Sequence, residues 1–371
     1  MDFDFSDDQE QLRDAVRRWV DKGYSFDRRR AAVAAGGFDR AAYNELAELG
    51  LTALMVPEAH DGLGQGAVSA MVAMEELGRG IVLEPLAHTF IASAVLSTHA
   101  PASVQAAWLP RIASGEVLVV LAHQERSARY HLDRCQATAI ANGGSHTVSG
   151  LKSVVPAGDQ ADAFLVPARL GGATALFLVE RTAAGVQTRG YVTQDGSRAA
   201  EVRFDNAPAT LVTTEGQSAL ELAVDTGIAA TCAEAVGVMD QTLAITVDYM
   251  NQRKQFGVAI ANFQALRHRV ADMKMQLELA RSMSYYASLK LGAEPEERRA
   301  ALARAKVQLG QSMRYVGQQA VQLHGGIGVT DEYIVSHYFK KLTQMEMVFG
   351  DTLHHLGEVS ARMQDTAGVF A

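Results

Sequence analysis

Apolar residues divide the chain into three stretches with different periodicities. In the first stretch, residues 1–115, they recur every three or four positions, which is typical of amphipathic helices. Ser6 and Gln9 form the pattern of a helix N-terminal capping box, and an apolar face follows it: Leu12, Val16, Trp19 and Val20. Further helices are expected over 43–49, 67–77 and 104–112. The pattern predicts a helical N-terminal domain over 1–115.

The period changes towards two in the second stretch, residues 116–215. Short apolar runs, such as 117–121, 163–166 and 175–179, are separated by Gly, Asn and Asp. No helical pattern stands between these runs. Short strands without intervening helices favour an antiparallel sandwich or barrel over a parallel nucleotide-binding sheet.

Long amphipathic stretches return in the third part, residues 216–371. They cover about 219–252, 262–291 and 295–324, and shorter ones follow. Helices of this length with few breaks are typical of an antiparallel bundle. The predicted fold class is therefore mainly α with a central β domain.

Composition and charge narrow the class of protein. The 371 residues are 48% apolar, enough for a buried core, and the net charge of -8 does not favour nucleic acid. Cys135 and Cys232 form no CxxC pattern, and the adjacent His354 and His355 would point about 100° apart on a helix. We therefore expect no metal site. Without a long apolar run or a basic leader, a cytoplasmic protein with no membrane partner is expected.

Three separated motifs point to a family. The sequence RKQFG at 253–257 is followed by Phe263 and Gln264, and QLHGGIG stands at 322–328. This combination resembles the acyl-CoA dehydrogenase family, and the resemblance covers essentially the whole chain because the domain order matches. Through 232–237, 253–257 and 349–351 the chain also resembles the small subunits of paired-subunit members of the pimeloyl-CoA and steroid-degrading kinds.

The resemblance implies a fold, a reaction and a cofactor. The fold would be a helical N-terminal domain, a β sandwich or barrel and a C-terminal four-helix bundle. Members desaturate the Cα–Cβ bond of an acyl-CoA: a carboxylate removes the α proton, and FAD accepts the β hydrogen as hydride. An acceptor similar to electron-transfer flavoprotein would reoxidise the flavin.

In this family a neighbouring subunit holds the adenosine and pyrophosphate end of FAD. The resemblance places that function on Arg253, Phe256, Gln264, Gln322 and Gly326. The chemistry is consistent, because Arg offers permanently charged planar donors to phosphate and Gly permits close backbone approach. A structural alternative stays open: Arg253 would only neutralise a helix C-terminus, and Gly325 and Gly326 would only end a helix.

The other half of the family's site departs from the pattern. Where members have a Thr-Glu-Pro segment followed by Gly-Ser against the flavin ring, this chain reads AHQERSAR at 122–129, and Val154 and Pro156 replace ring-contacting residues. The two base positions hold Phe349 and Gly227, which cannot accept a proton. Asp351 is the nearest candidate catalytic carboxylate, although Asp before a helical stretch is also a preferred N-cap.

These features lead to one hypothesis and two alternatives. The chain would be a subunit of an FAD-dependent acyl-CoA dehydrogenase, paired as α2β2 with a homologous subunit that carries the base, and acting on a bulky or dicarboxylic acyl-CoA of steroid or pimeloyl type. The first alternative is a self-sufficient homotetramer that uses Asp351 as base. The second is a non-catalytic scaffold with the same fold.

Overall fold

The computed structural model describes residues 5–366, which form two compact units. Within this range the bundle unit covers 5–28, 71–82 and 228–366, and the sheet unit covers 29–70 and 83–227. Each unit therefore gathers segments that lie far apart in the sequence. The predicted three-domain division of the sequence remains a prediction.

Six helices precede the first strand. They are α1 (Asp7–Gly23), α2 (Phe26–Ala34), α3 (Arg40–Glu48), α4 (Gly66–Arg79), α5 (Leu86–His99) and α6 (Ala102–Ala113). The predicted capping box is confirmed: Gln9 N donates to Ser6 Oγ over 3.3 Å, and Ser6 N donates to Gln9 Oε1 over 3.0 Å. α5 was not predicted, because it is apolar on most sides and so has little periodicity.

Seven strands form the sheet of the sheet unit. They are β1 (Val119–Leu121), β2 (Thr138–Asn142), β3 (Ser145–Pro156), β4 (Ala163–Leu170), β5 (Ala173–Glu180), β6 (Val186–Val192) and β7 (Arg198–Thr213). Their order is β1-β4-β2-β3-β7-β5, β6 also pairs with β7, and β4 pairs with β5. The pairings through β4, β2, β3, β7 and β5 thus close a circuit, as in a barrel.

Most strand pairs are antiparallel, as predicted, but two are parallel. β1 pairs in parallel with β4, with Val120 opposite Phe164, and β2 pairs in parallel with β4 at Thr138 and Arg169. Buried Ala and Val side chains make up most of the core of this unit, and Phe164 meets Phe204 there edge to face with ring centroids 5.8 Å apart. Antiparallel neighbours dominate because tight turns join β2 to β3 and β4 to β5.

Five α-helices and a short hairpin follow β7 within the described residues. The helices are α7 (Gly216–Gln252), α8 (Gln264–Lys290), α9 (Pro295–His324), α10 (Val335–Met347) and α11 (Thr352–Thr366), and the hairpin pairs β8 (Lys254–Gln255) with β9 (Val258–Ala259). The three long helices follow the predicted stretches closely. Among the described residues α7 alone is long and apolar enough to cross a membrane, but 89% of its most apolar window is buried within the protein, as in a core helix.

Two glycines let α4 and α7 pack in direct backbone contact inside the bundle unit. A Cβ atom at Gly78 would lie 2.1 Å from the Glu234 carbonyl oxygen, and one at Gly237 would lie 1.7 Å from the Glu75 carbonyl oxygen. No side chain fits such a gap. The crossing is flanked by an ion pair between Arg281 of α8 and Glu75 of α4. The contact fixes the middle of α7, the helix whose C-terminal end leads into the first predicted cofactor segment.

Candidate functional site

The first predicted cofactor segment begins where α7 ends. Arg253 follows Gln252, and its backbone N–H donates to the Tyr249 carbonyl over 2.8 Å. The β8–β9 hairpin comes next, turned by Phe256 (φ 53°) and Gly257 (φ 80°). Ile260 N donates to the Arg253 carbonyl over 2.8 Å, which closes the base of the hairpin. The segment therefore extends from the bundle as a defined loop rather than as a continuation of α7.

The side chains of this segment face solvent. Phe256 is 91% exposed at the hairpin tip, with its ring edge to face against Phe263 at 6.1 Å between centroids. Arg253 and Gln264 are also exposed, and the Arg253 guanidinium makes no hydrogen bond or ion pair with any residue from 5 to 363. A cation that pairs with none of the described side chains is available to an anionic ligand.

The second predicted segment begins where α9 ends. Gly325 is the C-cap of α9 with φ 67°, and its N–H donates to the Val321 carbonyl. A Cβ atom built on Gly325 or Gly326 would meet no described atom within 4 Å, so a ligand could approach this backbone closely. Gln322 lies exposed in the last turn of α9. The C-cap interpretation of Gly325 is correct, and it is compatible with ligand binding.

These residues fit the phosphate end of FAD. Arg253, Phe256, Gln264, Gln322 and Gly326 all belong to the bundle unit and are all exposed. They combine one free charge, two side-chain amides, one aromatic ring and open backbone. Permanently charged and amide donors beside accessible glycine backbone are the groups that bind a pyrophosphate.

The position of the family's usual base holds an apolar residue with no acid–base chemistry. Phe349 is 7% exposed with φ 58°, and its carbonyl lies 2.9 Å from His355 Nε2. Asp351 stands at the start of α11, and its Oδ1 accepts a hydrogen bond from His354 N over 2.8 Å. This contact is the N-cap geometry. Gly227, at the alternative base position on α7, is buried and has no side chain.

Two residues that the sequence analysis did not identify hold this loop in place. Lys306 of α9 is fully buried and donates from Nζ to the Met345 carbonyl over 2.6 Å and to the Glu346 carbonyl over 3.2 Å. Burial lowers the pKa of Lys306 to about 8. The Glu346 carboxylate accepts from both Thr352 N and Thr352 Oγ1. The only sequence signal was a lysine within the apolar stripe of α9, four residues after Leu302.

In the sheet unit, the segment 122–129 is held by a buried ion pair. Glu125 Oε1 lies 2.7 Å from Lys152 Nζ of β3, and the two side chains are 5% and 0% exposed. Gln136 N and Ala137 N also donate to Glu125. Burial opposes the charged form, but Lys152 and the two amides hold the pKa of Glu125 below its ordinary value. Glu125 and Lys152 are therefore fully engaged with their own unit.

The other residues at ring-facing positions of the family offer little to a flavin ring. Val154 is an apolar, 49% exposed residue with φ 52°, and Pro156 at the end of β3 has no N–H. Arg126 pairs on the surface with Glu201, Nη2 to Oε1 over 2.7 Å. Among residues 5–366 no group of three or more His, Cys, Asp or Glu side chains could hold a metal ion.

Comparison with known proteins identifies two domains of one family in this chain. The N-terminal acyl-CoA dehydrogenase domain matches residues 6–116, and the C-terminal acyl-CoA dehydrogenase domain matches residues 215–364. The chain belongs to the acyl-CoA dehydrogenase family. Members of this family are FAD-dependent oxidoreductases that act on acyl-CoA. The predictions of family, fold class and cofactor are thereby confirmed.

Individual relatives cover nearly all of the chain. Acyl-CoA dehydrogenase IpdE2 of Mycolicibacterium smegmatis is 29% identical over 96% of this chain and 99% of its own. Benzylmalonyl-CoA dehydrogenase of Aromatoleum aromaticum is 27% identical over 98% of this chain and 99% of its own. A solved chain from a variant of the "Tcur3481-Tcur3483 steroid ACAD" superimposes with a TM-score of 0.90 at 28% identity, covering 97% of this chain and 98% of that chain.

Proposed function

We propose that this chain is one subunit of a heteromeric FAD-dependent acyl-CoA dehydrogenase. It supplies the adenosine and pyrophosphate half of an FAD site whose ring pocket and catalytic base lie on a homologous partner subunit. One observation carries the proposal: the Arg253 guanidinium is exposed and has no partner among residues 5–363, whereas the base positions hold Phe349 and Gly227. The chain retains binding chemistry and lacks a proton-accepting side chain at both of the family's base positions.

The binding residues have distinct roles in this proposal. Arg253 neutralises phosphate charge, and Gln264 and Gln322 offer amide groups to the sugar and phosphates. Gly326 allows the phosphates to approach the backbone. Phe256 provides an apolar surface at the hairpin tip. When bound, FAD accepts the substrate's β hydrogen as hydride.

Proton abstraction is assigned to the partner subunit. An α proton of a thioester is weakly acidic and requires a positioned base. Phe349 and Gly227 cannot provide one, and Asp351 already accepts a hydrogen bond from the His354 amide in the first turn of α11. The homotetramer that uses Asp351 as base is therefore less favoured, because the carboxylate would have to leave its cap.

The bundle unit exposes apolar side chains that a second subunit could cover. On α11, Leu353 is 76% exposed, and Leu356 and Met363 continue on the same side of the helix. On α8, Met275 and Leu279 are exposed at a spacing of four residues. Large exposed apolar groups that recur along one helix face are typical of interfaces. We propose a homologous acyl-CoA dehydrogenase subunit as the occupant, in an α2β2 assembly.

We also propose a substrate class and a setting. The similar solved chain is described as a steroid acyl-CoA dehydrogenase, and another relative is named for benzylmalonyl-CoA. Both names support a bulky or dicarboxylic acyl-CoA as substrate, with electrons passing to an acceptor similar to electron-transfer flavoprotein. We further propose a cytoplasmic location.

The decisive experiment compares the chain expressed alone with the chain co-expressed with homologous acyl-CoA dehydrogenase subunits from the same organism. We expect flavin and acyl-CoA oxidation only in the co-expressed complex. Arg253→Ala in that complex should weaken FAD binding about tenfold or more, because a charged hydrogen bond contributes about 1.5–3 kcal/mol. Arg18→Ala, which removes another exposed arginine on α1, is the matched control and should leave FAD binding unchanged.

Two results would contradict the proposal. One FAD per chain and full activity in the chain expressed alone would support the homotetramer. No flavin with any homologous partner, together with no effect of Arg253→Ala, would support the non-catalytic scaffold.

A further inference from the structure

Tyr249 connects the two proposed cofactor segments within the bundle unit. It lies in the last turn of α7, one turn before Arg253. Its ring stacks on His324, the last residue of α9, with centroids 4.4 Å apart and 28° between the planes. Its hydroxyl donates to the His324 carbonyl over 3.2 Å. The helices that lead into the Arg253 hairpin and the Gly325–Gly326 turn are thus joined directly at their C-terminal ends.

His324 presents a fixed surface to Tyr249. The residue is 4% exposed, and its Nδ1 lies 2.8 Å from the Ala320 carbonyl oxygen. Because a carbonyl oxygen only accepts, Nδ1 carries the proton of the neutral ring. Tyr333 also contacts this ring, with centroids 5.3 Å apart. Hydrogen bond and packing together leave the imidazole in one orientation.

The hydrogen bond from Tyr249 acts on the peptide unit that begins the glycine turn. The accepting carbonyl belongs to His324, so its peptide plane includes the N–H of Gly325. Gly325 has φ 67°, and the space around it and Gly326 is open. The same peptide unit is also held through its Gly325 N–H, which donates to the Val321 carbonyl, so the Tyr249 hydroxyl restrains the carbonyl side of the unit.

We propose that Tyr249 is a positioning residue for FAD, an inference that rests on the proposed function. Through the His324 carbonyl it orients the Gly325–Gly326 turn relative to Arg253, so that both reach the same pyrophosphate. Tyr249 itself need not touch the cofactor. Preorganisation of this kind reduces the ordering cost of binding, so its loss lowers affinity without removing a ligand contact.

The test uses Tyr249→Phe, which removes the hydroxyl and keeps the stacked ring. The matched control is Tyr338→Phe on α10, which removes a tyrosine hydroxyl that donates to the Arg79 carbonyl in the same unit. The assembled complex is freed of flavin and titrated with FAD, and binding is followed by flavin fluorescence. Tyr249→Phe should raise the Kd for FAD about fivefold, which corresponds to the free energy of one hydrogen bond. Tyr338→Phe should leave the Kd unchanged, although both variants lower the unfolding temperature without FAD.

A double-mutant cycle with Arg253→Ala distinguishes a positioning effect of Tyr249 on FAD binding from a general weakening of FAD binding. If Tyr249 aligns the turn with Arg253, the effect of Tyr249→Phe shrinks when Arg253 is absent. Equal effects of Tyr249→Phe and Tyr338→Phe on the Kd, or additive effects of Tyr249→Phe and Arg253→Ala, would overturn the inference while the proposed function stands. An unchanged Kd in Arg253→Ala alone would instead overturn the proposed function and this inference with it. The ³¹P resonances of bound FAD provide a second readout: they should shift in Tyr249→Phe and not in Tyr338→Phe.

Discussion

Asp351 shows how the surroundings of one carboxylate decide between two roles that the sequence leaves open. An aspartate two positions after the family's usual base position is compatible with catalysis and with helix capping. In the structure its Oδ1 accepts from His354 N at the first turn of α11. The carboxylate oxygen thereby satisfies an amide N–H that has no partner within the helix. These interactions favour the cap.

Substitution of Asp351 separates the two roles. Asp351→Ala should lower the free energy of unfolding by about 1 kcal/mol through loss of the cap, and Asp351→Asn, which still caps, should lower it much less. The co-expressed complex that carries Asp351→Asn should still oxidise acyl-CoA. Urea denaturation and steady-state kinetics measure the two effects. A loss of turnover by several orders of magnitude in a stable Asp351→Asn variant would identify Asp351 as the base.

The structural role of Lys306 could not be predicted from the sequence alone. Its position on the apolar stripe of α9 is visible in the sequence, but its hydrogen-bond partners are not. Those partners are the carbonyls of Met345 and Glu346, where α10 ends. A buried ammonium is tolerated only where it donates hydrogen bonds. Which carbonyls it meets depends on how α9 packs on α10, and local periodicity carries no information about that packing.

At the scale of elements, the contact between α4 and α7 depends on two glycines. Gly237→Ala would place a methyl group against the Glu75 carbonyl and push the helices apart, with a cost of about 1–3 kcal/mol or more in the free energy of unfolding. Gly357→Ala on α11 is the matched control, because a Cβ there meets no described atom within 4 Å. It should stabilise the protein by about 0.5–1 kcal/mol through helix propensity. Urea denaturation tests both, and an equal response of the two variants would refute the close contact.

The elements themselves were largely predictable, and their partners were less so. The long helices α7, α8 and α9 have sustained patterns, and most strands are short apolar runs between turn residues. The pairing of β1 with β4 was not predictable, because the two strands lie more than 40 positions apart and pair in parallel. Strand alternation reports which side chains are buried, but it does not identify the neighbouring strand.

At the scale of the whole molecule, buried histidines predict a loss of stability in mild acid. Burial lowers the pKa of His88 to about 4 and that of His123 and His355 to about 3. Between about pH 6.5 and pH 4 the unfolded chain binds protons at these positions and the folded chain does not. The free energy of unfolding should therefore fall as the pH falls through this window.

Urea denaturation at pH 7.5 and pH 5 measures this dependence. His88→Gln should reduce the difference between the two pH values, whatever its effect on absolute stability. His268→Gln, which changes an exposed histidine on α8, should leave the difference as it is in the unchanged chain. A His88→Gln variant with an unaltered pH dependence would show that His88 does not contribute to it.

The sequence by itself determined the order of helical, strand and helical stretches, the family, and the residue types offered to FAD at 253–264 and 322–326. These features are local, because periodicity and motif spacing can be read directly from the sequence. Only the tertiary structure decided that Arg253 has no partner within the described chain, that Asp351 caps α11, and that Tyr249 joins the ends of α7 and α9. The Tyr249 contact and the surroundings of Arg253 depend on residues far apart in sequence, and only packing establishes them. The Asp351 cap is a local contact, but the sequence left the residue open between cap and base.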